Sequence, residues 1–266
     1  MLPKGELLCV GADLERALTH FGIGELPRVL RGTPVWRDSS EDRAATRASL
    51  ETLDKAGLLE PNGRLDRDVA VTFEALCQPE LAYFGWFAAG DEQWNAIAAR
   101  RGPEAVLAAY AKGGVYIRQI NTDGLVKALD AELPLGEPAE FAPIWYPLDK
   151  PVPEPAVSDI FVDNNYTRAD DDLNLIHALI TDHDGGGEVF VQTRDRGGRV
   201  HESPTALGVV TGRQGTWFNT LHTNHHGDRY LFCLPATSDA FAEQLDVLCE
   251  QATSLHPIAP ADRMRG

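Results

Sequence analysis

The densest group of chemically competent side chains is His222-Thr223-Asn224-His225-His226-Gly227-Asp228, with His201, Asp182, His183 and Asp184 available elsewhere. Imidazoles and carboxylates grouped in this way raise metal binding, and with it a metal-dependent hydrolase using His222, His225 and His226, with Asp228 as fourth ligand or base. Zinc needs three or four ligands converging at about 2 Å, which rigid strand pairs or helical i, i+4 pairs supply best. These histidines instead straddle a predicted hairpin turn, where His, Asn, Gly and Asp are favoured in any case. A plain solvated turn is the favoured reading and the hydrolase is the alternative; no metal and no cofactor is expected. His177 falls on an apolar helical stripe and reads as a satisfied core histidine.

The run Asp182-His183-Asp184-Gly185-Gly186-Gly187-Glu188 resembles a cation loop, but it is too short for an EF-hand, whose bidentate Glu stands at position 12. Gly185 to Gly187 more simply end a helix and turn into a strand. Asp170-Asp171-Asp172 are read as opening a helix, where acids favour the positive end of the macrodipole. Nucleophilic catalysis has no local foothold. G-x-S-x-G, the P-loop, G-x-G-x-x-G after a strand and H-E-x-x-H are all missing from the sequence. Cys9, Cys77, Cys233 and Cys249 have no metal-ligand spacing. Cys77 extends the stripe Val69, Phe73, Leu76 and Cys249 extends Phe241, Leu245, Leu248, so both are expected as buried structural thiols. The residues suit a binding protein and not an enzyme.

The elements that would carry these residues follow from periodicity. A short apolar run, Glu6 to Val10, precedes a helix from about Ala12 to His20 with Leu14, Ala17, Leu18 and Phe21 on one face. A second helix spans Asp42 to Ala56 with Gly57 as its C-terminal cap, and a third starts near Asp66. Four strand-like runs follow, Leu81 to Ala89, Trp94 to Arg100, Ala105 to Ala111 and Val115 to Ile120, separated by glycine-bearing turns suited to antiparallel hairpins. Leu81 to Ala89 is apolar on both faces and is expected to be central. Asp123 then caps a helix. Residues 134–155 are rich in proline and read as a linker or a long surface crossing.

The second half repeats this grammar. A helix over Asp170 to Asp182, with Leu173, Ile176, His177 and Ile180 on one face, precedes runs at Val189 to Arg194, Leu207 to Gly212, Trp217 to His222 and Arg229 to Leu234. Ser238 caps a final helix, and His256 to Gly266 reads as a fraying polar tail. Both halves therefore read helix, four strands, helix at an offset of about 105 to 115 residues, a candidate duplication. The predicted fold class is α+β, with a central largely antiparallel β-sheet flanked by helices and two similar halves, 1–133 and 156–256, in a single domain.

Charge narrows the partners. The 266-residue chain is 43% hydrophobic and 24% charged, ordinary for a globular protein, yet carries a formal net charge of −16. Nucleic acid and anionic membrane are excluded by that sign, since a phosphate-tracking surface needs a basic face. Ten acids against two bases lie between Asp149 and Glu188, about half of the excess. No stretch approaches the ~20 apolar residues of a membrane span, and the N-terminus lacks the build of a signal peptide, so a cytoplasmic location is expected.

Several short phrases occur in an order that resembles one family. Gly24-Glu25-Leu26-Pro27-Arg28-Val29-Leu30, then Leu53-Asp54-Lys55-Ala56-Gly57-Leu58, then Gly186-Gly187-Glu188-Val189-Phe190-Val191 and Gly227-Asp228-Arg229-Tyr230-Leu231, are similar to stretches of the EspG family of type VII (ESX) secretion-associated proteins. Asp228 departs from that family's Gly-Arg-Tyr hairpin. The resemblance implies a cytosolic chaperone with a pseudo-twofold fold that binds helical PE-PPE secretion substrates at an exposed hydrophobic tip and keeps them soluble for export. It implies no catalysis, and a monomer or homodimer. It also implies client contacts at the first hairpin loop of the sheet, carried over here to Asp91, Glu92, Gln93 and Trp94. Trp86 and Trp94 would then offer aromatic anchors and Asp91 with Glu92 a polar rim. The competing expectation is an ordinary hairpin tip with Trp94 folded back onto the sheet. The acidic stretch is expected to aid solubility or to steer a client with basic residues beside its apolar tip.

Overall fold

The computed structural model describes residues 6–32, 38–148, 164–224 and 226–254. The N-terminal half runs β1 (Glu6–Val10), α1 (Gly11–His20), a 3-10 turn (Arg28–Leu30), α2 (Ser39–Lys55), α3 (Arg67–Cys77), four strands and α4 (Leu125–Asp130). Those strands are β2 (Leu81–Ala89), β3 (Glu92–Arg101), β4 (Glu104–Ala111) and β5 (Gly114–Gln119). The C-terminal half runs β6 (Ile144–Pro147), α5 (Asn164–Thr181), β7 (His183–Arg194), β8 (Val200–Glu202), β9 (Leu207–Gly212), β10 (Gly215–Thr223), β11 (Arg229–Pro235) and α6 (Ser238–Ser254).

One sheet unites both halves in the order β1-β5-β4-β3-β2-β7-β9-β10-β11-β6, with β8 alongside β7, and every strand pairing is antiparallel. The architecture is pseudo-twofold about the β2–β7 pair. On each side a meander runs outward, and the strand that opens the half returns to pair at the outer edge: β1 on β5, β6 on β11. β2 is central, as its two apolar faces require. Even-numbered residues such as Phe84 meet α1 to α3, while Tyr83 and Phe87 meet α4 and α6 on the other face.

Three apolar clusters result. Leu14, Leu18, Leu53, Phe73 and Leu76 of α1 to α3 cover one face of the N-terminal half. Leu125 and Leu129 of α4 with Phe241, Leu245 and Leu248 of α6 cover the middle of the opposite face. Ile176 and Leu179 of α5 pack on Trp217, Cys233 and Ile144 at the C-terminal end.

α2 begins at Ser39, before the expected Asp42, because the Asp38 side chain accepts from the backbone N–H of Ser40 and Glu41 in a capping box. The Gly57 backbone, at φ +72, then ends it. Elsewhere the structure corrects the reading. Asp123 caps nothing: α4 starts after Gly124 with no side-chain cap. The cap of α6 is Thr237, whose hydroxyl accepts from Ala240 N–H, while the Ser238 hydroxyl donates to Asp130. α5 begins at Asn164, so Asp170 to Asp172 lie inside the helix instead of opening it. Its buried stripe is Ile176 and Leu179, leaving His177 exposed and Ile180 49% exposed.

Gly185 to Gly187 do not turn out of a helix; they lie within β7. Within the proline-rich segment, the predicted crossing contains the edge strand β6, and Pro138 bridges to Thr216. The rest of that segment from residue 149, His225 and the tail from residue 255 lie outside the described residues. Cys9 and Cys233 are buried, but Cys77 and Cys249 are only half-buried.

Candidate functional site: a groove across the central sheet

The face that carries α1 to α3 at one end and α5 at the other is open between them. Antiparallel register puts directly opposed residues on one face, so Asn95, Trp86, Glu188 and Gly208 form a row across β3, β2, β7 and β9. The next row is Gln93, Ala88, Gly186 and Val210. From these rows Trp86, Ala88, Gln93, Asn95, Gly186 and Val210 line a groove of about 600 Å³, and Glu188 and Gly208 continue the first row beside it.

The wall on the Trp86 side is held rigidly. The Phe84 and Phe190 rings stack at 5.8 Å, and Trp86 meets both edge-on at 5.6 and 5.9 Å. The Arg28 guanidinium lies 5.3 Å from the centroids of both Phe84 and Trp86 and pairs with Glu202 at 2.5 Å, joining the two halves. Asn95 Nδ2 donates to Val29 O at 2.8 Å, which fastens the 3-10 turn to β3.

The floor is flat because of glycine. A Cβ on Gly187 would run into the Trp86 carbonyl oxygen, and one on Gly186 into that of Val209, so no side chain fits where β7 bends between its neighbours. The ladder shifts register between His183 and Gly185 at the same place, a bulge that sharpens the bend.

Of the residues expected at the client surface, Asp91 and Glu92 are exposed at the β2–β3 tip, where Glu92 pairs with Lys112 at 2.7 Å. Gln93 and Trp86 share the groove. Trp94 does not: it sits opposite Phe87, on the other face of the sheet, with ring centroids 5.9 Å apart. Its indole Nε1 donates to Glu132 O at 2.8 Å, which ties the strand to the end of α4. The two tryptophans therefore cannot form one anchor pair, and Trp94 is folded back. Asn95 and Val210 carry no sequence signal of their own; Gly186 and Glu188 stand out in sequence only as part of a weak cation-loop candidate and of a glycine-led strand.

His225 of the histidine cluster lies outside the described residues. Among the described residues no group of three or more His, Cys, Asp or Glu is placed to hold a metal ion. His222 belongs to a ring cluster, 4.9 Å from Trp145 and 5.7 Å from Phe232, and burial lowers its pKa below the usual imidazole value. Asn224 organises the turn, its side-chain oxygen accepting from the N–H of His226 and of Asp228. The cysteines offer no nucleophile, since burial pushes the Cys9, Cys77 and Cys233 thiols up to about 12.

A twofold-related antiparallel sheet with helices on both faces, open between α1 to α3 and α5 along an aromatic-walled groove, places the chain in the α+β class. The family model for the EspG family matches residues 12–246, and the chain belongs to that family. Its fold matches the Mycobacterium tuberculosis type VII secretion system chaperone EspG5, solved in complex with the PE25-PPE41 dimer, with a TM-score of 0.69 at 13% sequence identity. That match covers 93% of this chain and 96% of the other. No curated protein matches the sequence.

Proposed function

We propose that this protein is a chaperone of a type VII secretion system that binds a PE-PPE-like helical client at an exposed hydrophobic tip and keeps it soluble for export. The observation that carries the reading is family membership over residues 12–246, joined to a fold shared across 93% of the chain with a chaperone solved on such a dimer. The groove supports it physically. A helix tip offers a convex apolar knob, and the Trp86 wall with the side-chain-free Gly186 floor gives a rigid concave counterpart that needs little ordering on binding. We assign the protein to the cytoplasm, without enzymatic activity, as one domain of two halves, 1–133 and 156–256, joined through 134–155. No helix among the described residues is long and apolar enough to cross a membrane.

Co-expression with candidate PE-PPE pairs tests the function. A stable complex on gel filtration and a gain in client solubility are expected, and Trp86→Ala should remove both. Failure of every pair to co-purify, or full complex formation by Trp86→Ala, counts against the reading.

A further inference from the structure

We propose that the groove selects clients carrying a lysine or arginine beside the apolar tip, with Glu188 as the counter-charge. The inference rests on the docking reading above and adds what the client must present. Glu188 lies in a central strand between β2 and β9, directly across from Trp86. It is exposed and forms no side-chain hydrogen bond or ion pair with another described residue. Glutamate is disfavoured in strands, and the residues that follow it, Val189, Phe190 and Val191, are all packed into the cores. A carboxylate with no partner among the described residues adds no ion pair or hydrogen bond that would explain its place on that face.

The surrounding charges sharpen the point. Among the described residues, three cations near the groove are already engaged: Arg28 by Glu202 at 2.5 Å, Lys112 by Glu92 at 2.7 Å, and Arg213 by Asp182 at 2.6 Å. Asp91 and Asp184 stand exposed at the rim without a side-chain partner among the described residues, so the charge these residues leave over is negative. Beside Glu188, Gly208 has no side chain, and the Asn219 amide occupies that space, where a Cβ would lie 2.5 Å from its Oδ1. The sheet face next to the groove's indole wall thus carries a carboxylate and an amide, in the row that runs on from Trp86. A long basic side chain fits that combination, its aliphatic stem along the indole and its charged head at Glu188.

The test uses helical-hairpin peptides identical except for one residue beside two tip leucines, Lys, Gln or Glu, titrated calorimetrically into the full chain. The Lys peptide should bind roughly five- to tenfold tighter than the Gln peptide, and the Glu peptide weaker still. Glu188→Gln should erase the ranking and Glu188→Lys invert it, and raising salt from about 50 to about 300 mM should compress it. Thermal melts should show both variants folded, because the side chain is exposed. Equal binding of the Lys and Glu peptides, or a ranking that survives Glu188→Gln, overturns the proposal. If Trp86→Ala then still abolishes binding, the groove reading stands without it. No binding by any peptide, or binding indifferent to Trp86→Ala, overturns both.

Discussion

Gly85→Ala should be among the most damaging conservative changes in the chain. Gly85 is buried in the middle of β2, and a Cβ there would lie 2.5 Å from the Glu188 carbonyl oxygen and 2.6 Å from Phe87 Cζ. The ring could turn aside, but the carbonyl belongs to the paired strand β7 and moves only with the sheet. The Phe87 ring also reaches to 2.5 Å from where a Gly187 Cβ would sit, so one aromatic side chain covers two strand glycines and an added methyl displaces it from both. Overpacking that forces backbone shifts costs about 1–3 kcal/mol, and this site belongs at about 3. For a chain of this length each kcal/mol moves the melting temperature by about 2–4 °C, which gives a drop of about 6–12 °C. The comparison is Gly63→Ala, where φ is +78 and nothing lies within 4 Å of the new methyl. There the cost is backbone strain alone, about 1 kcal/mol. Differential scanning calorimetry of the two variants reads this directly. A Gly85→Ala protein melting within about 2 °C of wild type, or above Gly63→Ala, would refute the packing argument for the β2–β7 seam.

Trp94→Phe should cost about 1 kcal/mol in urea unfolding through the lost bond to Glu132 O, while client binding is unchanged; a binding defect with normal stability would return Trp94 to the interface. Trp86→Ala should weaken client binding at least about tenfold by calorimetry, as loss of a central aromatic anchor does. His222 has a folded pKa below its unfolded one, so the unfolded state binds more protons in acid, and stability should fall as pH drops from about 7 through the unfolded value near 6.5. His222→Gln should flatten that part of the stability profile, and an unchanged slope between about pH 7 and 5 would show that another group sets it.

Much of the fold was readable because each half is a run of local signals. The glycines at 90, 102 and 113, all at positive φ, mark the three hairpins of the first meander, and the two-sided apolar pattern of Leu81 to Ala89 marks its central strand. What escaped is set by long-range pairing. β6 is four residues in a proline-rich stretch, and it is a strand because Ile144 to Pro147 meet Cys233 to Tyr230 at the edge, where proline is tolerated. Gly185 to Gly187 carry turn chemistry, yet crowding by the Trp86 and Val209 carbonyls places them inside a strand. The face of α5 went astray for the same reason, since Leu179 and not Ile180 meets the sheet. At the site, sequence named Trp86 and Gln93 but could not tell that Trp94, eight residues on from Trp86, faces the other way; the hairpin register decides it.

Photo-crosslinking tests the central claim most directly, with a benzophenone amino acid at Gln93, inside the groove, or at the exposed Lys127 of α4 on the opposite face. In cells expressing a PE-PPE pair, the Gln93 probe should capture the PPE-like subunit through its tip and the Lys127 probe should not. Capture from Lys127 with none from Gln93 would contradict the account and move the client to the other side of the sheet.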